Sequence, residues 1–195
     1  MKRLSILLIS CLITAGAFAQ TQPTSASGTY GNIFKLSASM FTRNTFQLGY
    51  ERFFNPTTSL QINAGMNFRD SEYEQFWGVN SEAQLKFYVY NLIKPKNSHR
   101  LYFAPYIMNN YEVITRNDYG IYGNNTLDDS FDAVSAGIVF GWSFSFANRI
   151  NLDISTGGGI RKAFNVDPSN NFTDIWDYSY SGIAPRLCVD VGFWF

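Results

Sequence analysis

Cysteine is nearly absent from this chain of 195 residues: only Cys11 and Cys188 occur. Once the amino-terminal leader described below is cut away, Cys188 stands alone, and no internal disulfide can form. Histidine is scarcer still, with His99 the sole example. That leaves little room for hydrolases that place a histidine base beside a nucleophile. Charged residues make up 15%, against about 25% in ordinary soluble domains. Their signs balance, 15 basic against 15 acidic, so no basic surface points to nucleic acid. Beyond the amino-terminus there is no apolar run of the ~20 residues that a membrane-spanning helix needs. Amphipathic helical spacing is missing as well.

The start of the chain reads as a leader. Lys2 and Arg3 precede a greasy stretch from Leu4 to Ile13, and Ala17-Phe18-Ala19 offers a small-residue cut site. This is the pattern of a secretory signal peptide over residues 1–19. Leu8-Ile9-Ser10-Cys11 offers a lipobox-like alternative, but the apolar stretch continues past Cys11. Loss of Lys2 and Arg3 leaves 13 basic against 15 acidic residues. Residues 20–31 are polar, carry no pattern and read as a flexible periplasmic lead-in.

From Asn32 to Phe195 the chain is a single domain of alternating segments. A strand sends successive side chains to opposite faces. Leu60, Ile62, Ala64, Met66 and Phe68 alternate without a break with Gln61, Asn63, Gly65, Asn67 and Arg69. At the carboxy-terminus Leu187, Val189, Val191, Phe193 and Phe195 oppose Arg186, Cys188, Asp190, Gly192 and Trp194. The same rule runs through Phe34–Met40, Phe46–Glu51, Glu82–Val89, Val134–Ser143 and Ile150–Ser155. In Leu101–Ile114 the pattern is ambiguous, and the reading adopted turns Phe103 and Ile107 outward and Tyr102, Tyr106 and Glu112 inward. Together these make eight strands near the ~9–11 residues that cross a bilayer at a tilt. The connections Asn55–Thr58 and Ala147–Arg149 are short, whereas Asp70–Trp77, Thr115–Ser130 and Asn165–Ser181 are long and polar. Short periplasmic turns alternating with long external loops are the signature of an outer-membrane barrel. A short external hairpin at Thr42–Asn44 and a longer periplasmic turn at Asn91–Arg100 depart from it.

Side-chain size assigns the faces. An eight-stranded barrel has an interior only wide enough for side chains to fill it. The polar face, with Gly49, Gly65, Gly137, Gly141, Gly157 and Gly192, suits that space; the bulky apolar face suits lipid. The same register sends Lys35, Arg69, Lys86, Arg161 and Arg186 inside with Glu51, Glu82, Glu112, Asp153 and Asp190, a balance that permits pairing. Aromatics near strand ends fit two interfacial girdles: Phe53, Phe54, Tyr90, Phe144, Phe146, Phe193 and Phe195 at one level, Phe41, Phe68, Trp77 and Phe131 at the other. The fold expected is therefore all-β: an eight-stranded antiparallel up-and-down transmembrane β-barrel.

Ala17-Phe-Ala-Gln20, Gly49-Tyr50-Glu-Arg-Phe-Phe-Asn55 and the closing Asp190-Val-Gly-Phe-Trp-Phe195 resemble the small outer-membrane β-barrel families of Gram-negative bacteria, of OmpA or OmpX size and of unknown function. The resemblance implies insertion by the barrel assembly machinery through the last strand, ending at Phe195. The function expected is non-enzymatic: an integral outer-membrane protein, a monomer with a filled lumen, whose long loops touch lipopolysaccharide or other surfaces. A lipid-binding or lipid-processing barrel, with a site among Tyr106, Tyr111 and Glu112, is the alternative. A secreted soluble lipocalin-like barrel is a further one.

No catalytic, cofactor or metal residue is assigned. His99 falls in the expected periplasmic turn beside Lys94, Lys96 and Arg100. Asp128, Asp129 and Asp132 offer hard oxygen ligands, but their spacing matches no defined calcium loop. Gly157-Gly158-Gly159 lacks the helix and the Lys-Ser/Thr of a phosphate loop and reads as relief of crowding.

Overall fold

A computed structural model describes residues 31–70, 74–89, 99–120, 123–146, 150–164 and 181–195, with side chains left undescribed at a few strand ends. The strands are β1 Asn32–Ser37, β2 Thr45–Asn55, β3 Thr58–Asp70, β4 Glu74–Val89, β5 His99–Gly120, β6 Gly123–Phe146, β7 Ile150–Phe164 and β8 Gly182–Trp194. Each pairs antiparallel with its sequence neighbours, and β1 pairs with β8 to close the barrel. Of the leader and lead-in expected over residues 1–31, residues 1–30 lie outside the described residues, as do the turns at 90–98 and 147–149 and the connection 165–180.

The register is the one the alternation demands. Ile62, Met66 and Phe68 on β3 are exposed on the outer wall, while Gln61, Asn63 and Asn67 are buried in the lumen. Phe140 and Ile138 on β6 point out, and Asp190 on β8 is buried inside. The soluble-barrel alternative requires the reverse, with bulky apolar groups inside, and the geometry excludes it. Glycine serves the narrow interior at two places. A Cβ on Gly141 would collide with the Tyr102 ring, which occupies the space that Gly141 leaves. Gly137 and Gly159 face each other across β6 and β7, and a Cβ on either would strike the backbone of the facing strand.

Five local expectations are corrected. β1 ends at Ser37, and Ala38–Arg43 forms a 3-10 turn closed by Asn44 in the left-handed region (φ 54°). Met40 is consequently buried instead of continuing the outer face. Phe53 and Phe131 point into the lumen and are buried, so neither belongs to a girdle. His99 opens β5 opposite Phe144 and is not part of a turn. Finally, Thr115–Ser130 is no irregular loop: β5 and β6 stay in register from Thr115↔Asp128 to Gly120↔Gly123. At ~3.3 Å per residue these six pairs add about 20 Å of two-stranded ribbon. Likewise, Trp77 belongs to β4, paired with Phe68.

Candidate functional site

The lumen holds the densest chemistry among the described residues. Inward positions on β1, β2, β4 and β7 converge on four charges near the end that carries the termini. Lys35 Nζ lies 2.6 Å from Glu51 Oε2 and 2.5 Å from Asp153 Oδ2. Lys86 Nζ lies 3.4 Å from Glu51 and 2.6 Å from Asp153. Each carboxylate is thus held between both ammonium groups. Hydroxyls complete the shell: Tyr88 and Ser59 donate to Glu51 at 2.6 and 2.5 Å, and Tyr102 donates to Asp153 at 2.6 Å. Lys35 also donates to Gln61 Oε1 at 2.9 Å. All four charged groups are buried, a state tolerated only where each charge is paired and hydrogen-bonded.

Below this lattice, toward the termini, aromatic rings close the tube. Phe53 stacks on Tyr88 and on Trp194, each at 5.3 Å between centroids, and the Arg100 guanidinium sits 5.6 Å over Phe53. Above it the fill becomes more neutral. Arg186 Nη2 donates to Glu82 at 2.6 Å, and its guanidinium lies over the Tyr106 ring. Gln84 and Asn63 donate to the same Glu82. Asp190 accepts from Ser37 and from the Cys188 thiol. Farther out, Gln47 donates to Asn80, Asn80 to Asn67, and Asn67 to Glu112.

The lumen charges expected from the sequence are largely where the register put them. Lys35, Lys86, Arg161, Arg186 and all five carboxylates are buried inside, while the Arg69 side chain lies outside the described set. The alternative ligand site does not assemble. Tyr106 and Glu112 face the lumen, whereas Tyr111 is on the outer wall, edge-on to Trp77 at 6.3 Å. His99 also faces outward, against Trp142 and Phe144, and so stands away from the lumen carboxylates. Among the described residues no group of three His, Cys, Asp or Glu is arranged to hold a metal. The Asp128 and Asp129 side chains are outside that set. The outer wall carries a shallow hollow of about 410 Å³ over Gly141, lined by Leu101, Phe103, Phe140, Trp142 and Ile154. What sequence reasoning missed is the inward turn of Phe53 and Phe131. Strand phase was the available signal, because Phe53 shares the parity of Glu51 and Phe131 that of Ser135.

Bulky apolar side chains outside, a sealed polar interior and closure without a free edge near the termini define a transmembrane barrel of the outer-membrane class. The family model described as the outer membrane protein beta-barrel domain matches residues 4–181, and the chain belongs to that family. The matched stretch includes all of β1–β7. A search of curated proteins finds no match. Solved structures of similar shape include the N-terminal β-barrel domain of Pseudomonas aeruginosa OprF, at 11% identity and TM-score 0.40, covering 87% of this chain and all of that one. Neisserial surface protein A follows at 8% identity and TM-score 0.41, covering 85% and 94%. Ail, the attachment invasion locus protein of Yersinia pestis, has 12% identity and TM-score 0.41, with the same coverage.

Proposed function

We propose that this outer-membrane barrel is a non-enzymatic surface protein whose working part is the outward β5–β6 ribbon, the barrel serving as its anchor. The observation that carries this reading is the lumen lattice of Lys35, Lys86, Glu51 and Asp153, which fills the tube where a pore would have to pass. A filled tube transports nothing by simple diffusion, so what remains accessible from outside is the ribbon. In this reading residues 1–19 direct export and are removed, residues 20–31 form a periplasmic lead-in, and β8 with the Phe195 that follows it is presented to the assembly machinery. Lipopolysaccharide and neighbouring surfaces are the partners within reach of a ribbon about 20 Å long. The protein acts as a monomer.

Two measurements test this. Planar-bilayer recordings are expected to show no stable large conductance, and a steady open level would overturn the filled-lumen reading. Deleting residues 116–127 is expected to leave barrel assembly intact while abolishing binding of intact cells to glycolipid-coated or host-cell surfaces. Unchanged binding would overturn the surface role.

A further inference from the structure

Barrel closure is incomplete on the outward side. β1 stops at Ser37, opposite Asp190, whereas β8 runs on to Gly182. Asn32 and Phe195 exchange both backbone hydrogen bonds, at 3.2 and 3.0 Å. In an antiparallel ladder such pairs alternate along the strand, so odd-numbered β8 residues direct their N–H and C=O toward the β1 side. Val189 obeys this rule, donating to Ser39 Oγ of the 3-10 turn at 3.0 Å. Beyond it, Leu187, Pro185 and Ile183 face the same side with no strand beside them, and their backbone groups have no partner among the described residues.

This edge lies on the apolar outer wall, toward its outward end. Ile183 and Leu187 are 73% and 63% exposed on the outer wall, and Ile160, opposite Ile183 on β7, is 72% exposed. Backbone N–H and C=O groups are not left bare in lipid; something must satisfy them. The occupant must therefore present donors and acceptors while fitting among acyl chains. A polypeptide strand fits poorly. Pro185 removes the middle donor from a short edge, the device by which natural sheets refuse edge-to-edge pairing. An amphiphile fits better: acyl carbonyls accept from the Leu187 and Ile183 N–H groups, and hydroxyl or amide groups donate to the Pro185 and Leu187 carbonyls.

We propose that the seam between β8 residues Ile183–Leu187 and the 3-10 turn binds an acylated glycolipid of the outer leaflet. Its chains lie on Ile183, Leu187 and Ile160, and its amide or hydroxyl groups complete the open β8 edge. This rests on membrane insertion and not on the surface role proposed for the ribbon. A lipid that carries ester carbonyls but no hydroxyl or amide donor satisfies only half of the edge.

The chain is to be placed in lipid discs of phosphatidylcholine alone, or of phosphatidylcholine with lipopolysaccharide, and amide exchange of Leu187 and Ile183 followed by NMR. Exchange at least ten-fold slower in the lipopolysaccharide discs is expected. Equal rates in the two discs, whether fast or slow, overturn the proposal, the slow case because the chain then closes its own seam. In native membranes, Leu187→p-benzoylphenylalanine is expected to cross-link glycolipid several-fold more than Ile107→p-benzoylphenylalanine, which sits on a distant part of the wall. Equal lipid yields, or a protein adduct at position 187, overturn it. A ribbon deletion that abolishes surface binding but leaves the Leu187 result unchanged separates this inference from the surface role.

Discussion

In the terminal half of the cylinder every strand has two partners, and lysine–carboxylate pairs cross the lumen above a stack of Phe53, Trp194 and Tyr88. In the outward half β1 has given way to a 3-10 turn, and the row of cross-strand neighbours reads Gln47, Gly65, Asn80, Asn110, Ala133 and Ala163. The first half holds charge in a fixed lattice; the second has mostly small and neutral side chains, with Glu112 and Arg161 among them, below a ribbon that leaves the barrel. Breaking a pair is most costly where the buried charges interlock, and the ribbon lies outside that lattice. The lattice groups are buried away from water that could screen a broken pair, so the lattice is where a single substitution does most harm.

The largest effect is expected from Asp153→Ala. It leaves Lys35 and Lys86 sharing the single carboxylate of Glu51 and removes the acceptor of Tyr102. Breaking a buried pair in this way costs about 3–5 kcal/mol, read as a lower urea midpoint for the refolded barrel in lipid. A shift of equal size from Asn80→Ala, in the outward half, would remove the contrast between the halves. Next comes Ile62→Arg, which places a guanidinium on the lipid face at a cost of about 2–4 kcal/mol. Its readout is the heat-modifiable fraction in membranes. Asn63→Arg, one residue on but in the lumen beside Glu82, is expected to assemble better. Gly141→Ala drives a methyl group into the Tyr102 ring, an overpacking worth about 1–3 kcal/mol. Tyr102→Leu is expected to rescue much of that loss in the double mutant. Smallest is deletion of residues 116–127, which should leave the urea midpoint unchanged because only ribbon is removed.

How much of this was legible in the sequence depended on what surrounds each face. Leu60–Phe68 sits between lipid and a polar lumen, so its two faces differ sharply and period 2 reads directly. The charges Lys35, Glu51, Lys86 and Asp153 followed from the same register, but which carboxylate meets which lysine depends on barrel closure, and no local pattern carries it. Beyond Val113 polar and apolar residues no longer alternate, so the strands that persist there leave no period-2 signal. Phe53 and Phe131 were misplaced because an aromatic at a strand end suits an interfacial girdle and a lumen plug equally well by residue type. The 3-10 turn was read as strand because Ala38–Met40 continue the alternation; what stops β1 is the turn closed at Asn44, a tertiary feature.

The orientation of the two faces underlies every other statement about this barrel. Spin labels at single cysteines from position 60 to 68, in a Cys188→Ser background and in lipid discs, test it most directly. Collision with oxygen dissolved in the bilayer is expected to rise and fall with a period of two residues, peaking at 60, 62, 64, 66 and 68. Peaks at the odd positions, or no alternation at all, would contradict a lumen built from the polar face.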